Sequence, residues 1–205
     1  MWMGRSHPTI PWCRYADDGL AHCKTQQQAQ QLLVELKVRF EECGLELHPI
    51  KTKIIYCKDD SRKLQYPNTE FNFLGYGFCS RMAEDSIDKR LFLSFTAAVS
   101  KESTKSMRDK TRSYKFYRRT DLSLQDIATM FNPILRGWIE YYGGYYKTAL
   151  LSVFRHFNKT LITWIQRKYK KFKSKTRAGK LLESIAERQP NLFAHWKAGL
   201  VGSFA

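Results

Sequence analysis

The sequence predicts an α+β protein, an antiparallel sheet with a packed helix followed by an all-helical half. Three observations carry this expectation. Short runs of β-branched and aromatic residues, separated by turn formers, occupy the first 95 positions. Longer runs with apolar residues every three or four positions occupy the rest. The charge divides at the same place: residues 1–95 carry 13 basic and 12 acidic side chains, leaving 22 and 7 for residues 96–205 of a chain with formal net charge +16. A nearly neutral half joined to a strongly basic one predicts a polyanionic partner, and at this magnitude the partner is nucleic acid rather than a membrane surface.

The elements follow in order. Ile10 to Tyr15 and Gly19 to Cys23 read as two strands around a tight turn at Ala16-Asp17-Asp18. Thr25 with Gln28 three residues on is a capping box. The helix it opens places Ala29, Leu32, Leu33, Leu36, Phe40 and Cys43 on one stripe and stops at Gly44. Leu45 to Leu47 and Lys53 to Cys57 predict short strands. Phe71 to Phe78 alternates as another strand, with Gly75 and Gly77 where a backbone or ligand can approach closely, and Leu91 to Phe95 adds one more.

In the second half, residues 97–118 form a basic helical stretch with a weak apolar face. Ser123 with Asp126 caps the best periodic run, in which Leu124, Ile127, Ala128, Phe131, Leu135, Trp138, Ile139 and Tyr142 share a face. Pro133 lacks an N–H and predicts a kink or break there, and Gly143-Gly144 ends the run. Leu150 to Phe172 predicts a third helix, and residues 178–188 a last short one before Pro190. Arg136 and Tyr141 lie off the apolar stripe and are free to meet RNA, whereas Trp138 and Tyr142 are core.

The run Arg167, Lys168, Lys170, Lys171, Lys173, Lys175 and Arg177 carries seven cations within eleven residues. A solvated helix end is the alternative reading, but seven like charges exceed what a helix end needs, which favours phosphate binding. The five cysteines form no C-x-x-C pair and the five histidines are scattered, so reduced thiols and a cytoplasmic setting are expected, with no zinc site. No apolar run approaches the ~20 residues of a membrane span, and no membrane partner is expected.

Asp17 and Asp18 are the chemically loaded pair. Two adjacent carboxylates on a stiff turn resist joint ionisation, and a divalent cation relieves that cost. Hard oxygen ligands suit Mg²⁺, and the chemistry such a pair serves best is two-metal phosphoryl transfer. Asp is also a common turn former, so on these residues alone a plain turn remains an even alternative.

The order of motifs is more specific than any one of them. Pro11-Trp12-Cys13-Arg14-Tyr15-Ala16-Asp17-Asp18 resembles the strand-turn of group II intron reverse transcriptases. Gly44 to Thr52 and Phe73-Leu74-Gly75-Tyr76 are similar to their next two blocks. Asn132-Pro133-Ile134-Leu135-Arg136-Gly137-Trp138 with Tyr141-Tyr142 resembles the maturase region, domain X, and Leu192 to Trp196 the C-terminus of bacterial members.

The resemblance implies a partial polymerase palm over residues 1–95 and a helical thumb or maturase domain over 96–205. It implies Asp17 and Asp18 as catalytic carboxylates holding Mg²⁺, Lys51 near the nucleotide and primer end, and Phe73, Leu74 and Gly75 in the grip on the primer terminus. Intron RNA, an RNA template and a DNA primer are the implied partners, in the cytoplasm of a bacterium. The family also uses a further palm aspartate and a fingers region upstream of the turn, and neither has a counterpart here. A complementary N-terminal reverse transcriptase segment is therefore an implied partner, and the isolated chain is expected to be inactive as a polymerase. Some relatives carry a C-terminal nuclease domain, which is not expected here. The alternative function is a non-catalytic maturase module that only binds and folds intron RNA.

Overall fold

A computed structural model describes residues 2–85 and 87–204. A short α1 (Trp2–Ser6) leads into a hairpin of β1 (Trp12–Tyr15) and β2 (Asp18–Ala21), followed by α2 (Gln26–Glu42). After an irregular stretch come β3 (Glu70–Phe73), β4 (Tyr76–Glu84) and β5 (Leu91–Val99), which form a separate antiparallel sheet in the order β3-β4-β5. The helical half comprises α3 (Lys101–Ser113), α4 (Leu124–Tyr142), α5 (Leu151–Lys168), α6 (Lys175–Arg188) and α7 (Ala194–Lys197), with 3-10 turns at Phe116–Arg118, Lys147–Leu150 and Lys170–Phe172. The α+β class and its helical second half stand.

Local signals set the helix ends. Thr25 accepts the Gln28 N–H at 3.1 Å, while the Gln28 side chain reaches back to the Lys24 N–H at 2.7 Å. The reciprocal bond of the capping box is thus displaced by one residue. At the other end of α2, Gly44 adopts φ +67° and its N–H, with that of Leu45, satisfies the carbonyls of Glu41 and Phe40. Ser123 and Asp126 form the complete box on α4, which holds the Asp126 carboxyl below its ordinary value, chiefly through the Ser123 backbone N–H.

Four expectations need correction. The first-half strands do not make one sheet: β1-β2 stands apart from β3-β4-β5. Leu45 to Leu47 and Lys53 to Cys57 are irregular, because no neighbouring strand offers them a ladder; Tyr56 N–H finds the Asn68 carbonyl at 2.8 Å instead. Phe71 to Phe78 is a hairpin rather than a strand. Its turn, Leu74-Gly75, has φ of 50° and 78°, the two left-handed positions of a type I′ turn. Pro133 does not break α4, which is continuous from Leu124 to Tyr142. Ile127, Ala128, Phe131 and Leu135, on both sides of the proline, are buried in one core, and that burial outweighs the lost backbone bond.

The core sits in the helical half. Phe131, Phe154, Phe157, Leu161, Trp164, Leu182 and Phe193 are fully or almost fully buried there, joined by Val99 of β5 and Met107 of α3. The switch from sheet to helix falls at Ser100, whose hydroxyl caps α3 by accepting the Ser103 N–H at 3.0 Å. By contrast, Ile10 and Leu32 are the buried apolar residues among the described residues of the first 95. The predicted α2 stripe is therefore mostly half-covered, with Cys43 exposed.

Candidate carboxylate pair and nucleic-acid interface

The β1-β2 hairpin pairs Tyr15 with Asp18, so its loop is the two residues Ala16 and Asp17. Ala16 takes φ 49°, the left-handed first position that a two-residue primed turn requires. Arg14 steadies this strained residue by donating from Nε to the Ala16 carbonyl at 2.7 Å. Asp17 lies in the turn, Asp18 opens β2, and both are exposed. No group of three His, Cys, Asp or Glu side chains able to hold a metal is found among the described residues. Two exposed carboxylates on one turn are nevertheless hard oxygen donors of the kind a divalent metal ion takes.

Lys51 sits in the turn after His48, whose Nδ1 accepts the backbone N–H groups of Ile50 and Lys51 at 3.3 and 3.4 Å. Its side chain is exposed and makes no hydrogen bond or ion pair among the described residues.

The other hairpin tip is fastened to the helices. The Gly75 carbonyl accepts from Ser100 N at 3.0 Å and from Ser103 Oγ at 2.9 Å, and Tyr142 Oη donates to Ser103 Oγ at 3.3 Å. Tyr141 Oη donates to the Leu74 carbonyl at 3.0 Å, and Tyr76 Oη donates in return to the Tyr141 carbonyl. Thus Leu74 and Gly75 are brought together with Tyr141, which is half-exposed and spends its hydroxyl on this contact rather than leaving it free for RNA. The rings of Tyr76, Tyr141, Tyr142 and Tyr145 form a cluster with centroids 4.7–5.7 Å apart. Phe73, at the end of β3, is half-buried.

The basic run does not continue one helix. Helix α5 stops at Lys168, Tyr169 is extended, a 3-10 turn covers Lys170–Phe172, and Ser174 starts α6. Lys168 is turned onto the protein: its Nζ donates to the Leu122 carbonyl at 2.5 Å and lies 5.3 Å from the Trp164 ring. Arg167 stacks over Tyr117 at 4.9 Å. Lys170, Lys171, Lys173, Lys175 and Arg177 are exposed. Lys175 and Arg177 occupy the first turn of α6, the positive end of its dipole, where cations are disfavoured. Ser174 supplies no side-chain cap there. Free N–H groups and cations at one helix end together call for an anion.

Two family models match, in the order that the motifs predict. Reverse transcriptase (RNA-dependent DNA polymerase) matches residues 2–78, and the group II intron, maturase-specific domain matches residues 104–182. The chain belongs to the group II intron reverse transcriptase/maturases. A search of curated proteins returns no match. Membership places the chain in a family of RNA-directed DNA polymerases that generally use divalent metal ions, and its two matched domains imply nucleic-acid binding and a function in splicing. No described helix is long and apolar enough to cross a membrane.

Within this family setting the structure gives parts of the motifs a structural duty. Asn132 of the maturase motif uses both ends of its amide to hold the C-terminal segment: Nδ2 donates to the Leu192 carbonyl at 3.0 Å and Oδ1 accepts the Ala194 N–H at 2.8 Å. Phe193, His195 and Trp196 of the terminal motif are buried. Sequence reasoning missed the buried His195, whose only signal was its place in the apolar run Phe193-Ala194-His195-Trp196. It also missed Arg188 and Gln189, which stand beside Arg136 across a cleft.

Gly75→Ala tests the fastening of the second hairpin. A Cβ at Gly75 lies 2.7 Å from Tyr142 Oη and 3.0 Å from Ser103 Oγ, on a residue with φ +78°. The substitution is expected to cost about 1–3 kcal/mol in urea unfolding. Adding Tyr142→Phe, which removes the nearest atom, recovers part of the loss; strict additivity of the two changes contradicts the contact.

Proposed function

We propose that this chain is the nucleic-acid-holding and metal-carrying portion of a group II intron reverse transcriptase, working in the bacterial cytoplasm. The exposed cations of 167–177 hold intron RNA. Asp17 and Asp18 ligate Mg²⁺, and Lys51 and the Phe73-Leu74-Gly75 tip face the nucleotide and primer. When bound, the ion supplies charge stabilisation and nucleophile activation for in-line displacement at the primer terminus. The residues of this chain orient it: the two-residue turn fixes the carboxylates, and the tip fastened to α3 and α4 links palm to thumb. Two carboxylates with no third ligand among the described residues leave ion geometry loose, so RNA-directed synthesis requires a complementary segment that supplies it.

The observation that supports the RNA-holding role most is the uncapped, cation-flanked start of α6, a site built against its own dipole unless an anion fills it. The test is a gel-shift on intron RNA alongside primer extension on an RNA template with Mg²⁺, using the chain and its Asp17→Asn variant. Both bind RNA alike and neither extends the primer. With about six cations on phosphates, affinity falls roughly a thousandfold between low and moderate salt. A flat salt dependence rejects the RNA-holding role. Extension by the chain that disappears in Asp17→Asn shows that the two carboxylates suffice and rejects the need for a complementary segment.

A further inference from the structure

A cleft of about 450 Å³ lies between residues 125–136 of α4 and the connection from α6 to α7. Gln125, Asn132 and Arg136 line it from one face of α4, and Arg188, Gln189 and Asn191 from the opposite side. The spacing of seven and four residues is what puts the first three on one helical face. Both walls are held: the Asn132 amide bonds to the backbone of Leu192 and Ala194, so the cleft exists before any ligand arrives.

Its polar groups are otherwise unspent. Arg188 donates through Nε to the Ser184 carbonyl at 3.1 Å, which leaves its terminal nitrogens free. The guanidinium of Arg136 and the amides of Gln125, Gln189 and Asn191 have no hydrogen-bond or ion-pair partner among the described residues. Among the described residues, no carboxylate and no aromatic ring lines the cleft.

This inventory is selective. Two guanidiniums without a counter-charge suit a phosphate, which they bind through paired N–H groups. Three amides, each both donor and acceptor, are poorly matched to a phosphate, which only accepts, and well matched to the edge of a nucleobase. A base edge reaches a recess only when the base is unstacked, as in RNA loops and bulges, because side chains cannot read the deep major groove of an A-form helix. The absence of a ring means recognition by edge and phosphate rather than by stacking. The volume lies toward the small end of ligand pockets, which fits a single residue of the polymer rather than a helix.

The geometry points to a site for one unpaired RNA nucleotide, with Arg136 and Arg188 on its phosphate and Gln125, Gln189 and Asn191 on its base edge. It rests on the reading that the helical half holds RNA, and adds a position that discriminates single-stranded from duplex RNA, on residues separate from the 167–177 run.

Fluorescence anisotropy on the full chain tests it, with a labelled single-stranded RNA and a duplex of the same sequence. Arg136→Gln with Arg188→Gln lowers affinity for the single strand about tenfold or more and changes duplex affinity by less than about twofold. Lys170→Gln with Lys171→Gln and Lys173→Gln lowers both. General charge loss cannot imitate the first pattern, since counterion release weighs duplex at least as heavily as single strand. An equal loss on both RNAs, or none, overturns the inference while leaving the RNA-holding role intact. Failure of the unaltered chain to bind either RNA overturns both.

Discussion

Phe157→Ala is expected to cost roughly 3–5 kcal/mol, a large share of the 5–15 kcal/mol typical of a domain. The Phe157 ring is fully buried and lies 5.7 Å from Phe116, 5.1 Å from Phe131, 5.6 Å from Phe193 and 5.4 Å from His195. One side chain on α5 therefore meets the turn after α3, the centre of α4 and the C-terminal segment. Truncation removes its transfer free energy and leaves a cavity that three separately anchored elements cannot all close. Phe157→Leu retains most of the volume and should cost less than about 1.5 kcal/mol. Urea unfolding of the three proteins gives the comparison; similar losses for alanine and leucine would mean that the site collapses freely.

Acidification is the second large effect. His195 is fully buried, and its Nε2 lies 2.9 Å from Asn158 Oδ1. The same oxygen accepts the Trp196 indole N–H at 3.3 Å, while Asn158 Nδ2 donates to the Val201 carbonyl. An amide oxygen only accepts, so Nε2 carries the imidazole proton and Nδ1 is bare, buried and without a partner among the described residues. A second proton would put charge on Nδ1 with nothing to receive it, and burial pushes the histidine down to about 3.

The unfolded chain titrates this group near 6.5. Between about pH 6.5 and 3 the unfolded state therefore holds more protons, and stability declines as pH falls, by about 1.4 kcal/mol per unit. Above about pH 6.5 this group contributes no slope. By about pH 4.5 the loss is near 3 kcal/mol. His156, lowered by burial and then by Arg112 and Arg108, adds a smaller slope of the same sign. Unfolding free energies at about pH 7.5, 5.5 and 4.5, for the native chain and His195→Gln, measure it. The variant starts lower and declines less steeply; parallel curves would show that His195 accepts its proton in the folded state.

Much of the fold is legible in the sequence where one short stretch decides it. Thr25 and Ser123 cap their helices with their own hydroxyls, and Gly44 and Gly143 terminate them through the backbone within a turn. The Phe71 to Phe78 hairpin is hard to read because Phe71 and Phe73 alternate on one arm and Tyr76 and Phe78 on the other, with a slip of one residue between them, and Leu-Gly lacks the strong Asn-Gly signal. Lys53 to Cys57 has strand composition but no neighbour to complete a ladder, since β-propensity expresses fit to a sheet more than backbone preference. The bond that Pro133 loses is visible in the sequence, whereas the core that holds both halves of α4 together is not.

The same division governs function. Residue types and their order were enough to identify the family, locate the acidic turn and place the excess charge in the second half, because these are local or additive properties of a chain. Tertiary structure alone decided that Tyr141 is tied to the Leu74 carbonyl, that Lys168 is turned inward, and that Arg136 faces Arg188 across 52 positions of sequence. A side chain acquires its partner only when the backbone has closed the loop between them, and no spacing within the sequence records that encounter.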